Sequence, residues 1–260
     1  MLGIDKDAVM ENKDDKILIG LIGDKINECD KKYMITSSNF LDLRQRTLVM
    51  RYLQKQKIHN FRFIGGYEDA ERVVVVFLPD YAEENEINEL SIIRVKTAKG
   101  GKKLGHRDYL GSILALGINR EMIGDILVHE DGADIIVLNK IVEYIQNNYD
   151  KAGRARLNLT IHKIDELVML KEVVQEKGTT VASMRIDTII ASAYQVSRTV
   201  AAQLIKQGVV FINNLEVNKT DKIVQQNDKI VVRGKGKIVI SKIGERTRKD
   251  RIRVDYYSYK

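Results

Sequence analysis

Residues 184 to 232 read MRIDTIIASAYQVSRTVAAQLIKQGVVFINNLEVNKTDKIVQQNDKIVV, and this stretch organises the rest of the chain. Ile186, Ile189, Ile190 and Ala193 recur at i, i+3, i+4 and i+7, which predicts a helix from about Arg185 to Tyr194 with one buried stripe. Ser197 is placed to cap a second helix, because its hydroxyl can accept a hydrogen bond from a free amide of the first turn. That helix should run from about Arg198 to Gln207 and stop at Gly208. Its buried side would be Val200, Ala201, Leu204 and Ile205, while Arg198, Ala202 and Lys206 share a neighbouring side. Two cations separated by a small residue, beside a helix N-terminus, suit a phosphate backbone. A strand at Val209–Asn213, a turn at Asn213–Asn214 and a strand at Lys229–Arg233 follow. Pattern alone fits an ordinary small α+β domain with solvated charges equally well.

The order of residue types says more. Arg185-Ile-Asp187, Ser197-Arg198, Leu204-Ile-Lys-Gln-Gly-Val-Val-Phe-Ile-Asn213 and Asn227-Asp228-Lys-Ile230 resemble the RNA-binding domain named after small-subunit ribosomal protein S-four. Asn214 and Asn227 stand where that family usually has Gly, and both are turn positions that accept Asn. Candidate RNA-binding residues in this stretch are Arg185, Asp187, Ser197, Arg198, Ala202, Gln203, Lys206, Gln207 and Lys219.

Charge points the same way. Residues 181–260 carry 16 Lys+Arg against 7 Asp+Glu, whereas the first 180 carry 27 against 29. A cationic field confined to one third of a chain favours a polyanion. A membrane surface would instead require a basic amphipathic helix with large apolar residues, and the basic segment is mostly strands and turns. Lys235 and Lys237 flank a glycine in a turn that also holds Arg233. Farther on lie Arg248, Lys249, Arg251 and Arg253, of which the last two alternate with Ile252 and Val254 and should share one side of a strand. These seven are further candidate RNA contacts, although charges on an edge strand also discourage aggregation. Tyr256, Tyr257 and Tyr259 are candidates for base stacking or for a frayed tail.

Upstream, apolar residues at Ile17, Leu21, Ile22, Ile26 and Cys29 predict one helix. Ser38-Asn39 should cap a second helix that ends near Gln56. Phe61–Ile64 predicts a strand before Gly65-Gly66. From about residue 72 the predicted order is a strand at Arg72–Phe77, a strand at Leu90–Thr97, a helix at His106–Leu116, strands at Ile123–His129 and Asp134–Leu138, a helix at Lys140–Tyr149, and a strand at Ala155–Ile161. Its core is the split β-α-β of a ferredoxin-like plait, a fold that many RNA-recognition domains use. The stacking aromatics of such domains are not evident. A second RNA contact is therefore sought at Lys102, Lys103, His106, Arg107 and Arg120.

The fold class expected is α+β, comprising a mostly helical N-terminal domain (1–71), a ferredoxin-like (RRM-like) α/β plait (72–165), a linker (166–180) and an S-four-type RNA-binding domain with a small β-sheet (181–260). Cys29 is the single cysteine, so neither a disulfide nor a cysteine-based zinc site is available within the chain. No apolar run reaches the ~18 residues of a membrane span, and the first residues lack a signal pattern, so cytoplasmic residence is the expectation.

A second resemblance covers nearly the whole chain. HRDYLGSILALGINREMIGDILV at 106–128, Ser38-Asn-Phe-Leu-Asp42, Phe63-Ile-Gly-Gly-Tyr-Glu-Asp-Ala-Glu-Arg72, Arg233-Gly-Lys-Gly-Lys237 and Thr247-Arg-Lys-Asp-Arg-Ile-Arg253 resemble the bacterial YlmH family of S-four-domain proteins. The resemblance implies rRNA of the large ribosomal subunit and tRNA as partners. It also implies ribosome-associated quality control, in which a factor steadies peptidyl-tRNA on a split large subunit. An older association of the family implies a partner-binding role in cell division. The chain has no GxxxxGK[ST] phosphate loop, no HExxH zinc motif and no tyrosyl-tRNA-synthetase signature. Arg185-Ile-Asp187 only superficially matches the Arg-Leu-Asp motif of pseudouridine synthases, since the catalytic domain that motif requires has no counterpart. A non-catalytic monomer that needs no cofactor, metal or small-molecule substrate is expected, with an uncharacterised RNA-modification factor as the remaining alternative.

Overall fold

The protein is described by a computed structural model over residues 13–97, 103–168 and 174–259. It divides into two compact units, residues 1–170 and 171–260.

The first unit begins with helices α1 (Lys13–Lys32) and α2 (Leu43–Lys55). They pack on an antiparallel sheet of β1 (Thr36–Ser37), β2 (Phe61–Ile64) and β3 (Val74–Phe77), in the order β1-β3-β2. Two apolar tracks compete to be the buried side of α1. Ile19, Ile22 and Cys29 face inward, while Ile17 and Leu21 are more than half exposed. The inward track begins at Asp15, whose carboxylate receives both guanidinium nitrogens of Arg44 on α2 at 2.8 and 2.9 Å. The outward track continues into Asp24 and Glu28, which need water. The cap of α2 is Asp42, not Ser38-Asn39. Asp42 accepts from the Gln45 amide, and the Gln45 side chain accepts in return from the Asp42 amide. The Ser38 hydroxyl is occupied in the sheet, where it accepts from the Val75 amide.

Residues 74–77 are fully buried, as the unbroken valine run predicts. This strand pairs with β1 and β2, however, and not with the plait that follows.

The plait consists of β4 (Leu90–Thr97), α3 (His106–Leu114), β5 (Ile123–Val128), β6 (Gly132–Leu138), α4 (Val142–Asn148), β7 (Lys151–Ala152) and β8 (Ala155–Lys163). Its sheet order is β5-β6-β4-β8-β7, antiparallel throughout. The first four strands have the permutation of a ferredoxin-like fold. Ile93, Val95, Ile135 and Val137 meet Tyr109, Ile113 and Ile145 of the two helices. The opposite sheet face offers Leu90, Ile136 and Leu138 to Phe40, Val74 and Val76 of the N-terminal layer. The unit is thus layered helix, sheet, sheet, helix. Part of the face that RNA-recognition plaits use for bases is here a protein core, while Lys96, Asn158 and Thr160 on it stay exposed.

Gly124 on β5 makes that contact possible. A Cβ built there would sit 2.7 Å from the Phe40 ring. Polar contacts stitch the same seam, since Asp125 accepts from the Tyr67 hydroxyl and from the Glu71 and Arg72 amides.

The second unit holds β9 (Val174–Val181), α5 (Ile186–Ala193), α6 (Arg198–Lys206), β10 (Val210–Ile212), β11 (Leu215–Glu216), β12 (Lys229–Val232), β13 (Gly236–Arg246) and β14 (Ile252–Tyr259). They form one antiparallel sheet in the order β11-β10-β12-β13-β14-β9, with α5 and α6 packed on one face. The sequence assigns 166–180 to a linker, but residues 174–180 are strand, paired throughout with β14. Val210, Ile212, Ile230, Val232, Ile238, Ile240, Val254 and Tyr256 point at the helices. Asn213 and Asn214 have φ of 50° and 65°, the left-handed pair of a tight hairpin turn. Among the described residues, no helix is long and apolar enough to cross a membrane.

Replacing the fully buried Phe40 by Ala should destabilise the first unit by about 3–5 kcal/mol in urea unfolding. Gly124→Ala should cost about 1–3 kcal/mol by overpacking the same contact. The combination with Phe40→Ala should cost less than the two effects added, because the clash partner is then gone.

Candidate nucleic-acid interface

The helical half of the second unit is arranged around one carboxylate. Asp187 lies in the first turn of α5, and its side chain is 6% exposed. It accepts Arg185 Nε at 3.1 Å, Arg185 Nη2 at 3.2 Å and Arg198 Nη2 at 2.6 Å. The Thr188 hydroxyl adds a contact at 3.3 Å, and the amide end of the helix is favourable to the negative charge. Burial by itself would raise the Asp187 carboxyl, but the hydrogen bonds of the two arginines outweigh it and hold the group below the usual carboxylate range. In return, Arg185 is held above its ordinary value by its bond to Asp187.

Asp187 is therefore too enclosed to touch RNA and acts by position. Arg198 keeps 61% of its side chain exposed while one edge of its guanidinium is anchored. The remaining donors point outward in a restricted geometry, which lowers the entropy lost on gripping a phosphate.

Ser197 caps α6 by accepting the Val200 amide at 3.2 Å. Ala201 and Ile205 are buried, whereas Arg198, Gln203, Lys206 and Gln207 are exposed and Ala202 is half-buried. Val200, expected inside, is 37% exposed because it sits in the first turn, beyond the edge of the sheet-facing stripe. The loop carrying Lys219 closes on the start of α5, where the Thr220 and Lys222 carbonyls accept the Asp187 and Ile186 amides. Lys219 is exposed in that loop. The same loop brings in Lys222, which sequence reasoning passed over because no periodicity marks it.

The other candidates fall elsewhere in the fold. Arg233 and Lys237 lie on the sheet side remote from the helices, with Lys235 in the turn between them. Arg248 and Lys249 form the exposed tip of the β13–β14 hairpin, whose turn is closed by Thr247 and Asp250. Arg251 is tied to the Thr180 hydroxyl and carbonyl on β9. Arg253 neighbours Asp255 at 3.4 Å on the face away from the helices. The cations of this unit are thus divided between two faces and a tip, and do not share one surface.

In the first unit, Lys103, His106 and Arg107 are exposed at the start of α3, and Lys102 lies outside the described residues. Arg120 is placed differently. Its guanidinium donates to the Ile123 and Gly124 carbonyls, and burial together with the neighbouring Arg72 pulls its pKa down to about 10. It is half-buried and braces the seam between layers through these two carbonyls.

Comparison with known proteins fits this geometry. Residues 83–166 match the model of the RNA-binding domain in YlmH, and residues 184–230 match the S4 domain. The chain carries a YlmH-type RNA-binding domain and an S4 domain. It is 29% identical over 227 residues to the "Ribosome-associated protein quality control protein P2" of Bacillus subtilis (strain 168), an alignment that covers 87% of this chain and 88% of the relative. The solved "Cell division protein ylmH from Streptococcus pneumoniae" aligns with a TM-score of 0.50 at 23% identity, covering 62% of this chain and 98% of that one, a likeness of fold alone. The S4 match begins just before Arg185 and ends within β12, so it spans the whole arrangement around Asp187.

Asp187→Asn should remove the anchor of both arginines, lowering S4-unit stability by about 1–3 kcal/mol and weakening RNA binding. The folded carboxyl titrates below its unfolded value of roughly 3.9, so its stabilisation is complete above that pH and disappears as pH falls through the lower folded value. Acid titration followed by circular dichroism should show this limb in the native protein and not in Asp187→Asn.

Proposed function

We propose that this protein is a non-catalytic RNA-binding factor of the large ribosomal subunit. In this reading the S4 domain docks on folded rRNA, and peptidyl-tRNA on the same subunit is the second partner. The role is ribosome-associated quality control in the cytoplasm, and the chain works as a monomer. The observation that carries the reading is the pair Arg185 and Arg198, held by one buried carboxylate beside the capped start of α6. Fixed guanidiniums next to a helix N-terminus bind phosphate by shape as well as by charge. Lys206, two turns along α6, extends the same exposed side. The name of the Bacillus subtilis relative supports the ribosomal setting. Lys103 and Arg107, with His106 between them, form a second, smaller polar group at the start of α3 that carries two cations and suits a neighbouring RNA element.

Sucrose-gradient sedimentation tests the proposal. Native protein should travel with the large-subunit peak, and Arg198→Glu with Lys206→Glu should leave it at ordinary salt. In equilibrium binding, the double variant should reduce the slope of log K against log salt by about two. Co-sedimentation of the variant at native levels would remove this face from the contact.

A further inference from the structure

The sheet of the S4 unit has a second face. Side chains alternate along a strand, so the residues between those that meet α5 and α6 point the other way. The cross-strand register aligns them in two rows. One runs Phe211, Val231, Lys237, Tyr259, and the other runs Lys229, Val239, Tyr257. Val231 and Val239 are only half-buried, and Tyr257 is 38% exposed. Among the described residues of this unit, no helix or strand layer covers this face.

Its chemistry is uneven in a telling way. Arg233 stands over the Phe211 ring at 5.1 Å, and the Lys237 ammonium stands over the Tyr259 ring at 4.2 Å. Each cation is thereby ordered while keeping its charge. Lys242 and Arg253 add to them, so positive charge exceeds that of Glu176, Glu216 and Asp255 on the same side. A protein partner with an apolar surface would favour a patch without cations at its centre. A duplex would offer this face phosphates but no exposed base planes. Phe211 is itself fully buried and Tyr259 half-buried, so the ring left exposed beside these cations is Tyr257. Cations on the same face as an exposed aromatic ring suit an unpaired strand, whose bases can stack while its backbone meets the charges.

We infer that this open sheet face is a second RNA site, one that takes a single-stranded segment, with a base on Tyr257 and phosphates at Arg233 and Lys237. It rests on the RNA-binding reading above but uses the side of the unit opposite the Asp187 cluster. The S4 unit would then hold two RNA elements at once, a folded one on the helices and an unpaired one on the sheet.

The test uses the full chain and two fluorescent probes, unstructured oligouridine and a perfectly paired RNA hairpin. Native protein should bind both. Tyr257→Ala should weaken oligouridine binding by about tenfold or more and leave the hairpin unchanged. Tyr257→Phe, which keeps the ring, should match the native protein on both probes. Arg198→Glu with Lys206→Glu should show the reverse pattern. Tyr257 lies outside the buried core, so thermal melting of Tyr257→Ala should be native-like and any loss is read as binding. If native protein fails to bind oligouridine, or Tyr257→Ala binds it normally, the sheet-face site is refuted while the helix-face reading stands. If Tyr257→Ala loses both probes equally with native melting, a single shared surface replaces the two-site arrangement. If native protein binds neither probe, both readings fall.

Discussion

A β-sheet has two faces, and each must either meet another layer or be suited to water. The two units of this chain meet that constraint in opposite ways. In the first, α3 and α4 cover one face of the plait, and the N-terminal sheet covers much of the other through Phe40, Val74 and Val76. In the second, α5 and α6 cover one face, and the other carries valines, tyrosines and cations. The plait therefore has only the β8 side of that sheet face left open. Exposed cations remain at the start of α3 and on both faces of the S4 unit, which is where the proposed RNA contacts lie.

Within that unit, Asp187 links fold to site. A buried carboxylate without partners would be strongly unfavourable, and it would favour the neutral acid. Arg185 and Arg198 remove that cost, and in doing so they become fixed relative to α5 and α6. The interaction that stabilises the helix pair also aims the cations. This coupling distinguishes these arginines from the exposed cations of the hairpin tip, such as Arg248 and Lys249, which contribute field more than geometry.

What could be read in the chain without a structure follows the range of the forces involved. The cap at Ser197, the αL turn at Asn213-Asn214 and the apolar stripe of α5 are set by neighbours a few residues apart, and each appears where its residues predict. The order of the plait was legible for the same reason. Strand β9 was not. Its sequence VQEKGTTV is polar because it lies at a sheet edge and turns only part of itself to the core, so it imitates a linker. The run at 73–77 announces burial on both faces but not which sheet it joins. On α1, two apolar tracks were equally periodic, and the Asp15–Arg44 pair, 29 residues apart, accompanies the one that faces inward. At the site, residue types were legible while their grouping was not. Asp187 looked like one more contact until Arg198, eleven residues on, was seen to close on it. Arg120 reads as a phosphate ligand in the sequence, yet part of its guanidinium is engaged by carbonyls of the strand that follows it.

Charge distribution gives these local facts a common direction. The first 180 residues are close to electrically balanced, and the last 80 carry the excess. On the RNA-binding reading, such an asymmetric field would orient the chain toward a polyanion before any contact forms, with the S4 unit leading. Long-range attraction of this kind selects no sequence and weakens with salt. On the same reading, discrimination would come from the parts that are geometrically fixed: two arginines locked on one carboxylate, and on the opposite face the exposed Tyr257 ring with Arg233 and Lys237 ordered over other rings. A surface with only the first would bind any duplex of suitable groove shape, and one with only the second any unpaired strand. Held a fixed distance apart in one small domain, the two proposed sites would together accept only an RNA that presents a folded element and an unpaired segment at matching separation. Specificity would then arise from the architecture of the target and not from its base sequence.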